Sequence, residues 1–382
     1  MKGFDYYGWF RSALRDGLKT AGMDAKVKGA ELVLRLMQYS VLSPRGLRES
    51  FSTYRGPHNH LAPIRCIFPA DKSPTATVVV LHGATPTADN HPGILMIARV
   101  LAGVGYRVLV PQVPPLKRLQ ITDESSAWLA GFQQWMQADD SIRKMPVAWV
   151  AMSFGGTLLL RTTLSEAFQE KPPCAIMTYG SFCNLESTYD YLLSGKMVTP
   201  HGEEFLEPHE WGKIVVFLNY LARIDAGYDT SEIQRILRKY EHDDEEGAHR
   251  ELRKLAGRER EICNAIVHSE STPELERLLD LIREVAADDI VSLSPTSWGH
   301  KVETKVFVMH GVEDSMVPYT EALALEKTLP NTDLFLSGLA RHTTMSRGAL
   351  AGLDGLKEVI GMAEYMGRFV ETIDQAQPSS RQ

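Results

Sequence analysis

Val150-Ala151-Met152-Ser153-Phe154-Gly155-Gly156 is the stretch that decides the fold. It leaves an apolar, strand-like run at 147–152 and enters a helical pattern at 155–164. A serine on so sharp a strand-to-helix turn is held with its hydroxyl exposed. The backbone there is crowded and the serine conformation strained, so small neighbours are required. Ala151 and Gly155 meet that need. The Phe154 N–H, at the start of the helix, can point at developing negative charge.

Working outward, strand and helix patterns alternate. Residues 52–54 and 61–68, separated by Gly56-Pro57-His58-Asn59, read as a β-hairpin. Strand patterns follow at 76–82, 106–110, 147–152, 175–179, 305–309 and 332–336. Helical patterns lie at 92–104, 125–140, 155–164, 319–328 and 355–372. This alternation predicts a mostly parallel sheet covered on both faces, an α/β fold. In such sheets ligands bind beyond the carboxyl ends of the strands, so motifs at strand ends carry most weight.

Two regions depart from the alternation. Residues 1–48 read as an N-terminal helical extension. Its nine Lys or Arg against five Asp or Glu among residues 1–50 give a local +4 in a chain of net −7. Phe4, Tyr6, Tyr7, Trp9 and Phe10 add aromatic weight. Such a helix can dock on its own protein or lie at a membrane interface, and docking is the favoured expectation. Residues 184–299 read as a helical insertion, with amphipathic stretches at 209–223, 231–240 and 273–286. Its run Glu241-His242-Asp243-Asp244-Glu245-Glu246 reads as a solvated face rather than a cation site. The core is then 49–183 plus 300–375.

Composition narrows the function. With 382 residues, 44% hydrophobic and 23% charged, the chain is an ordinary globular sequence. The acidic net charge offers no whole-chain field for nucleic acid. Cys66, Cys174, Cys183 and Cys263 lack metal-site spacing and read as free thiols. No apolar run approaches the roughly 20 residues that cross a bilayer. The expectation is a cytoplasmic protein, with peripheral membrane contact through residues 1–48 as the alternative, no cofactor, no metal and an unspecified oligomeric state.

Ser153 and its neighbours resemble the nucleophile elbow of the α/β-hydrolase superfamily, whose pattern is Gly-x-Ser-x-Gly. Ala151 replaces the first glycine. Three further segments are similar to that family. His82-Gly83-Ala84, ending an apolar strand, resembles the turn that carries an oxyanion-hole donor. The resemblance assigns the two donors to the N–H groups of Ala84 and Phe154, with His82 a structural residue. His310-Gly311-Val312-Glu313-Asp314-Ser315-Met316-Val317-Pro318 resembles the turn bearing the triad acid, which maps to Asp314, with Glu313 as the competing carboxylate. His342, in a loop after the last strand, takes the place of the triad base. The order Ser153, Asp314, His342 is that of the superfamily.

These residue types suit one chemistry. A serine hydroxyl needs a base to accept its proton, a histidine titrates near neutral pH, and a buried carboxylate fixes the imidazole tautomer. The reading is therefore a serine hydrolase acting on a small-molecule acyl substrate, a carboxylic ester for which an apolar acyl group is one option. A thioesterase, an amidase or peptidase, and an acyltransferase share the same triad, and a non-catalytic binder shares the fold. The 161 residues between Ser153 and Asp314 exceed what the sheet needs, which places the insertion as a cap over the site, with Trp211, Ile214, Val215, Phe217, Leu218 and Leu221 as its apolar face. Pro111-Gln112-Val113-Pro114-Pro115-Leu116 is read as a wall of the pocket.

Overall fold

The computed structural model describes residues 23–39, 46–268, 270–338 and 353–376. In chain order the strands are β1 (Leu47–Arg55), β2 (Leu61–Pro69), β3 (Thr77–Leu81), β4 (Arg107–Pro111), β5 (Val147–Met152), β6 (Ala175–Tyr179), β7 (Lys196–Thr199), β8 (Gly202–Phe205), β9 (Val306–Gly311) and β10 (Thr332–Ser337). Eight of them form one sheet in the order β1-β2-β4-β3-β5-β6-β9-β10. β1, β2 and β4 pair antiparallel, and all pairs from β4 to β10 are parallel.

Strand alternation divides the core. Val79, Leu81, Trp149 and Ala151 point into one apolar cluster, while Val78, Val80, Ala148 and Val150 point into another across the sheet. That period of two, with apolar residues at every position, is what a strand buried on both faces requires. The first cluster is continuous with the apolar residues of the insertion, including Ile214, Phe217, Leu221 and Ile233. The second packs beneath helices Pro92–Gly103 and Leu353–Gln375 and the N-terminal helix Met23–Gln38.

The order of the sheet reverses beside β3. The chain passes from β3 to β4 on one side, then crosses over to β5 on the other. Loops leaving β3 and β5 therefore diverge, and a crevice opens between them. His82-Gly83-Ala84 and Ser153 sit at those two strand ends.

The insertion is not wholly helical. Helices Leu185–Ser194, Glu210–Tyr220, Ser231–Leu237, Glu245–Leu252, Gly257–Val267 and Pro273–Val285 are joined by the β7–β8 hairpin, which the sequence patterns did not suggest. Its entry is anchored by Glu321. That buried carboxylate accepts hydrogen bonds from Cys183 N at 2.9 Å, Asn184 N at 2.7 Å and Ser187 Oγ at 2.6 Å.

The described part of the N-terminal segment docks on the protein itself. Its helix runs along the C-terminal helix, with an ion pair between Lys28 and Asp374. The two backbones meet at glycines. A Cβ on Gly29 would lie 2.3 Å from Gly367 N and 2.4 Å from Ala363 O, so only glycine permits the crossing. The extension ends sooner than the sequence reading placed it, because β1 already begins at Leu47. No described helix is long and apolar enough to cross a membrane.

Overpacking at this crossing should outweigh the better helix propensity of alanine. Gly29→Ala is expected to lower unfolding stability by about 1–3 kcal/mol in urea titration, whereas Lys26→Ala, on the exposed side of the same helix, should stay within about 0.5 kcal/mol. Equal values for the two would contradict the close crossing.

Candidate active site

Ser153 sits between β5 and helix Phe154–Thr162 with φ 52° and ψ −135°. A side chain makes this conformation costly, on the order of 1–3 kcal/mol, and such strain persists only where surrounding contacts over-determine it. Three contacts do so. Ser153 N donates to Tyr179 O at 2.7 Å, Ser181 Oγ donates to Ser153 O at 2.8 Å, and Gly156 N donates to the same oxygen at 2.9 Å. Ser153 itself remains half-buried.

The small neighbours have specific causes. A Cβ on Gly155 would lie 2.3 Å from His82 O, and one on Gly156 would lie 2.1 Å from Ser181 Oγ. A Cβ on Gly83 would approach the Ser153 Cβ to 3.0 Å. The two loops at the crevice thus pack backbone against backbone. Ala151 is fully buried within β5, opposite Leu81 and Thr178, and a methyl group is accommodated there.

His82 braces the β3 loop. It is fully buried, its Nε2 accepts from Val113 N at 3.1 Å, and its Nδ1 lies 2.8 Å from Gly83 O. Those partners require the neutral ring with its proton on Nδ1. Desolvation by burial pushes its pKa down to about 4. The proline-rich segment after β4 therefore serves as the far anchor of this loop. Residues 111–116 do not line the cavity, which corrects the pocket-wall expectation.

The acid turn follows β9. Asp314 is fully buried, and its Oδ1 accepts from Met316 N at 2.8 Å and Val317 N at 3.1 Å. His310 is equally buried, with Nε2 donating to Val317 O at 2.9 Å and lying 3.5 Å from Asp314 Oδ2. Glu313, the competing carboxylate, is exposed. β5 and β9 are separated only by β6, so the turns bearing Ser153 and Asp314 leave strands about 10 Å apart. β10, the last strand before His342 in the chain, is the next strand beyond β9. His342 itself lies outside the described residues.

Ser153, Phe154, Gly83 and Ala84 line one cavity of about 1100 Å³. The insertion contributes Leu192, Trp211 and Val215 to its walls, and Glu313 and Met316 come from the acid turn. Of the expected apolar face, Ile214, Phe217 and Leu221 are packed in the core instead. His91 and His209 also line the cavity, and each uses Nδ1 to accept from the start of a helix, at Gly93 N and Trp211 N. The four cysteines are free, and burial raises every thiol pKa, to about 12 for Cys183 and Cys263. Among the described residues no group of three or more His, Cys, Asp or Glu has metal-holding geometry. Asp244, in the acidic run, caps Gly247 N and pairs with Lys239 at 3.2 Å.

No local pattern marks Ser181, Tyr179 or Val113 as supports of the site. Each acts through a backbone or side-chain bond to a residue distant in the chain.

A histidine whose folded pKa lies below its unfolded value stabilises the fold above 6.5, and that stability is lost as pH falls towards the folded value. For His82 the window runs from 6.5 down to about 4. Wild type should lose on the order of 3 kcal/mol more than His82→Gln between pH 7 and pH 4. Denaturant unfolding at stepped pH checks this, and parallel stability curves would refute it.

No protein-family model and no curated protein matches this sequence. Solved structures do. A protein from Bacteroides ovatus provisionally assigned as a dipeptidyl aminopeptidase IV superposes with a TM-score of 0.50 at 11% identity, covering 88% of this chain and 37% of that one. The acylaminoacyl peptidase of Pyrococcus horikoshii gives 0.48 at 11% identity, over 91% of this chain and 44% of that one. An esterase domain from Rhodothermus marinus gives 0.44 at 15% identity, over 86% of this chain and 100% of that one. The chain spans less than half the length of the two peptidase structures. At these identities the likeness concerns architecture alone. The mostly parallel eight-stranded sheet flanked by helices and the likeness to the Bacteroides ovatus structure show that this chain has the α/β-hydrolase fold.

Proposed function

We propose that the protein is a serine hydrolase that cleaves a carboxylic ester through an acyl-enzyme on Ser153. The observation that carries this reading is the backbone of Ser153, a strained non-glycine residue held at a strand end by three hydrogen bonds and facing a cavity. Strain of that kind is retained where it positions a reactive group.

In this mechanism His342 accepts the Ser153 proton as Oγ attacks the substrate carbonyl. Asp314, buried and already fixed by two backbone N–H groups, orients the imidazole and stabilises its charged form. The N–H groups of Ala84 and Phe154 bind the oxyanion, where loss of one donor typically costs on the order of 3 kcal/mol of barrier. His342 then protonates the leaving alcohol, and a water repeats the sequence in reverse to release the acid. The insertion at 184–299 acts as a cap that restricts water at the acyl-enzyme.

Hydrolysis of p-nitrophenyl butyrate tests the assignment. Ser153→Ala and His342→Ala should each lower kcat/KM by at least about 10³-fold, and Asp314→Asn by roughly 10³–10⁴-fold. Glu313→Gln should cost less than about tenfold. A large loss in Glu313→Gln with activity kept in Asp314→Asn would move the acid to Glu313. No turnover of any ester, thioester or amide would favour a binding protein built on the same fold.

A further inference from the structure

The cavity at Ser153 does not end under the insertion. It continues down the opposite face of the sheet, past Val150 on β5 and Met177 on β6. Both belong to the apolar cluster beneath the N- and C-terminal helices. Val150 precedes Ser153 by three residues, which places this part of the cavity about 10 Å below the serine along the strand. Its far wall is made by Leu32 and Leu36 of helix Met23–Gln38 and by Met362, Met366 and Phe369 of helix Leu353–Gln375. Leu32 and Leu36 are one turn apart, as are Met362 and Met366, so each helix presents one face.

The chemistry of the lining changes with depth. Polar and charged groups, His209, Asp243, Glu245 and Glu313, belong to loops and helix ends on the strand-end side. Among the described residues the deep part offers only aliphatic, aromatic and thioether side chains. Among the described residues seven methionines line the whole cavity. Methionine is flexible and polarisable, and it fits apolar ligands of varied shape. A polar acyl group, such as that of a peptide, would lose its hydrogen bonds to water in this chamber and gain none. At about 1100 Å³ the cavity reaches the upper end of the range for small-molecule sites.

We infer that this chamber receives the linear aliphatic chain of a medium- or long-chain acyl group whose carbonyl sits at Ser153, and that the N-terminal helix sets the chain length. The inference rests on the Ser153 reading. Gly29 is on the same helix face as Leu32 and Leu36, three and seven residues earlier, and its contact with Gly367 fixes how closely those leucines approach. The N-terminal helix is thereby a specificity element, reaching the substrate from the side of the sheet away from the insertion.

Two measurements test it separately from catalysis. With p-nitrophenyl esters, kcat/KM should rise at least tenfold from butyrate to dodecanoate. Leu36→Phe should remove at least tenfold of the dodecanoate rate and leave butyrate within twofold, which also shows that the variant folds. Should Leu36→Phe fail to fold, Ile97→Phe, on the facing helix wall, makes the same test. Independently, sodium dodecanoate should bind the Ser153→Ala protein in calorimetry, at least fivefold more weakly when Leu36→Phe is added. A flat or falling chain-length series, or equal losses on both esters, overturns the chamber while leaving Ser153 in its role. A preference for acetate esters of long-chain alcohols over long-chain acyl esters also overturns it. Dodecanoate binding that Leu36→Phe weakens, with no ester turnover by wild type, keeps the chamber and overturns the catalytic reading.

Discussion

The site depends on one constrained peptide, that of Ser153. Its conformation is unfavourable for any residue with a side chain, and the strand, the helix and the neighbouring loop each supply part of the restraint. Tyr179 O belongs to β6, Ser181 follows β6, and Gly156 belongs to the helix. The restraint therefore comes from three different pieces of the fold. It also explains the composition of the crevice. The loop after β3 must lie against the elbow for its N–H to reach the same cavity, and only Gly83 and Gly155 allow that approach.

The same device is used twice around the cavity. His82 directly follows β3 and His310 is the penultimate residue of β9; each precedes a glycine, and each is fully buried with a ring nitrogen on a backbone group of a separate turn. One steadies the loop that carries Ala84, the other the loop that carries Asp314. Neither histidine is exposed to a substrate. Each holds the backbone of the turn it bonds to, which under the proposed function is the backbone that must keep a donor or a carboxylate in place. Burial, which drives the His82 pKa down to about 4, keeps that ring neutral at ordinary pH and so preserves its acceptor for Val113 N.

Much of this was legible in the residues because local pattern and chemistry coincide there. The run into Ser153 reads as strand, nucleophile and helix in turn, and the structure places β5 and the helix Phe154–Thr162 on either side of it. Asp314 is buried and Glu313 exposed, a difference that no local pattern in the sequence displays. The β7–β8 hairpin was not legible because its second strand, Gly202–Phe205, is exposed at every position and carries no alternation. Nor was the apolar chamber. Leu32 and Leu36 show only that a helix has an apolar face; what the face meets depends on Gly29 against Gly367, a contact between residues more than 300 apart. The anchoring of His82 by Val113 is hidden for the same reason, since proline-rich composition gives no indication of where a backbone N–H points.

The central claim is that the strained serine at the end of β5 is the nucleophile, and covalent trapping tests it most directly. After treatment with a fluorophosphonate, peptide mass spectrometry should find one phosphonyl adduct, on Ser153, lost in Ser153→Ala and strongly slowed in His342→Ala. An adduct on another residue, or equal labelling of the Ser153→Ala protein, would contradict it.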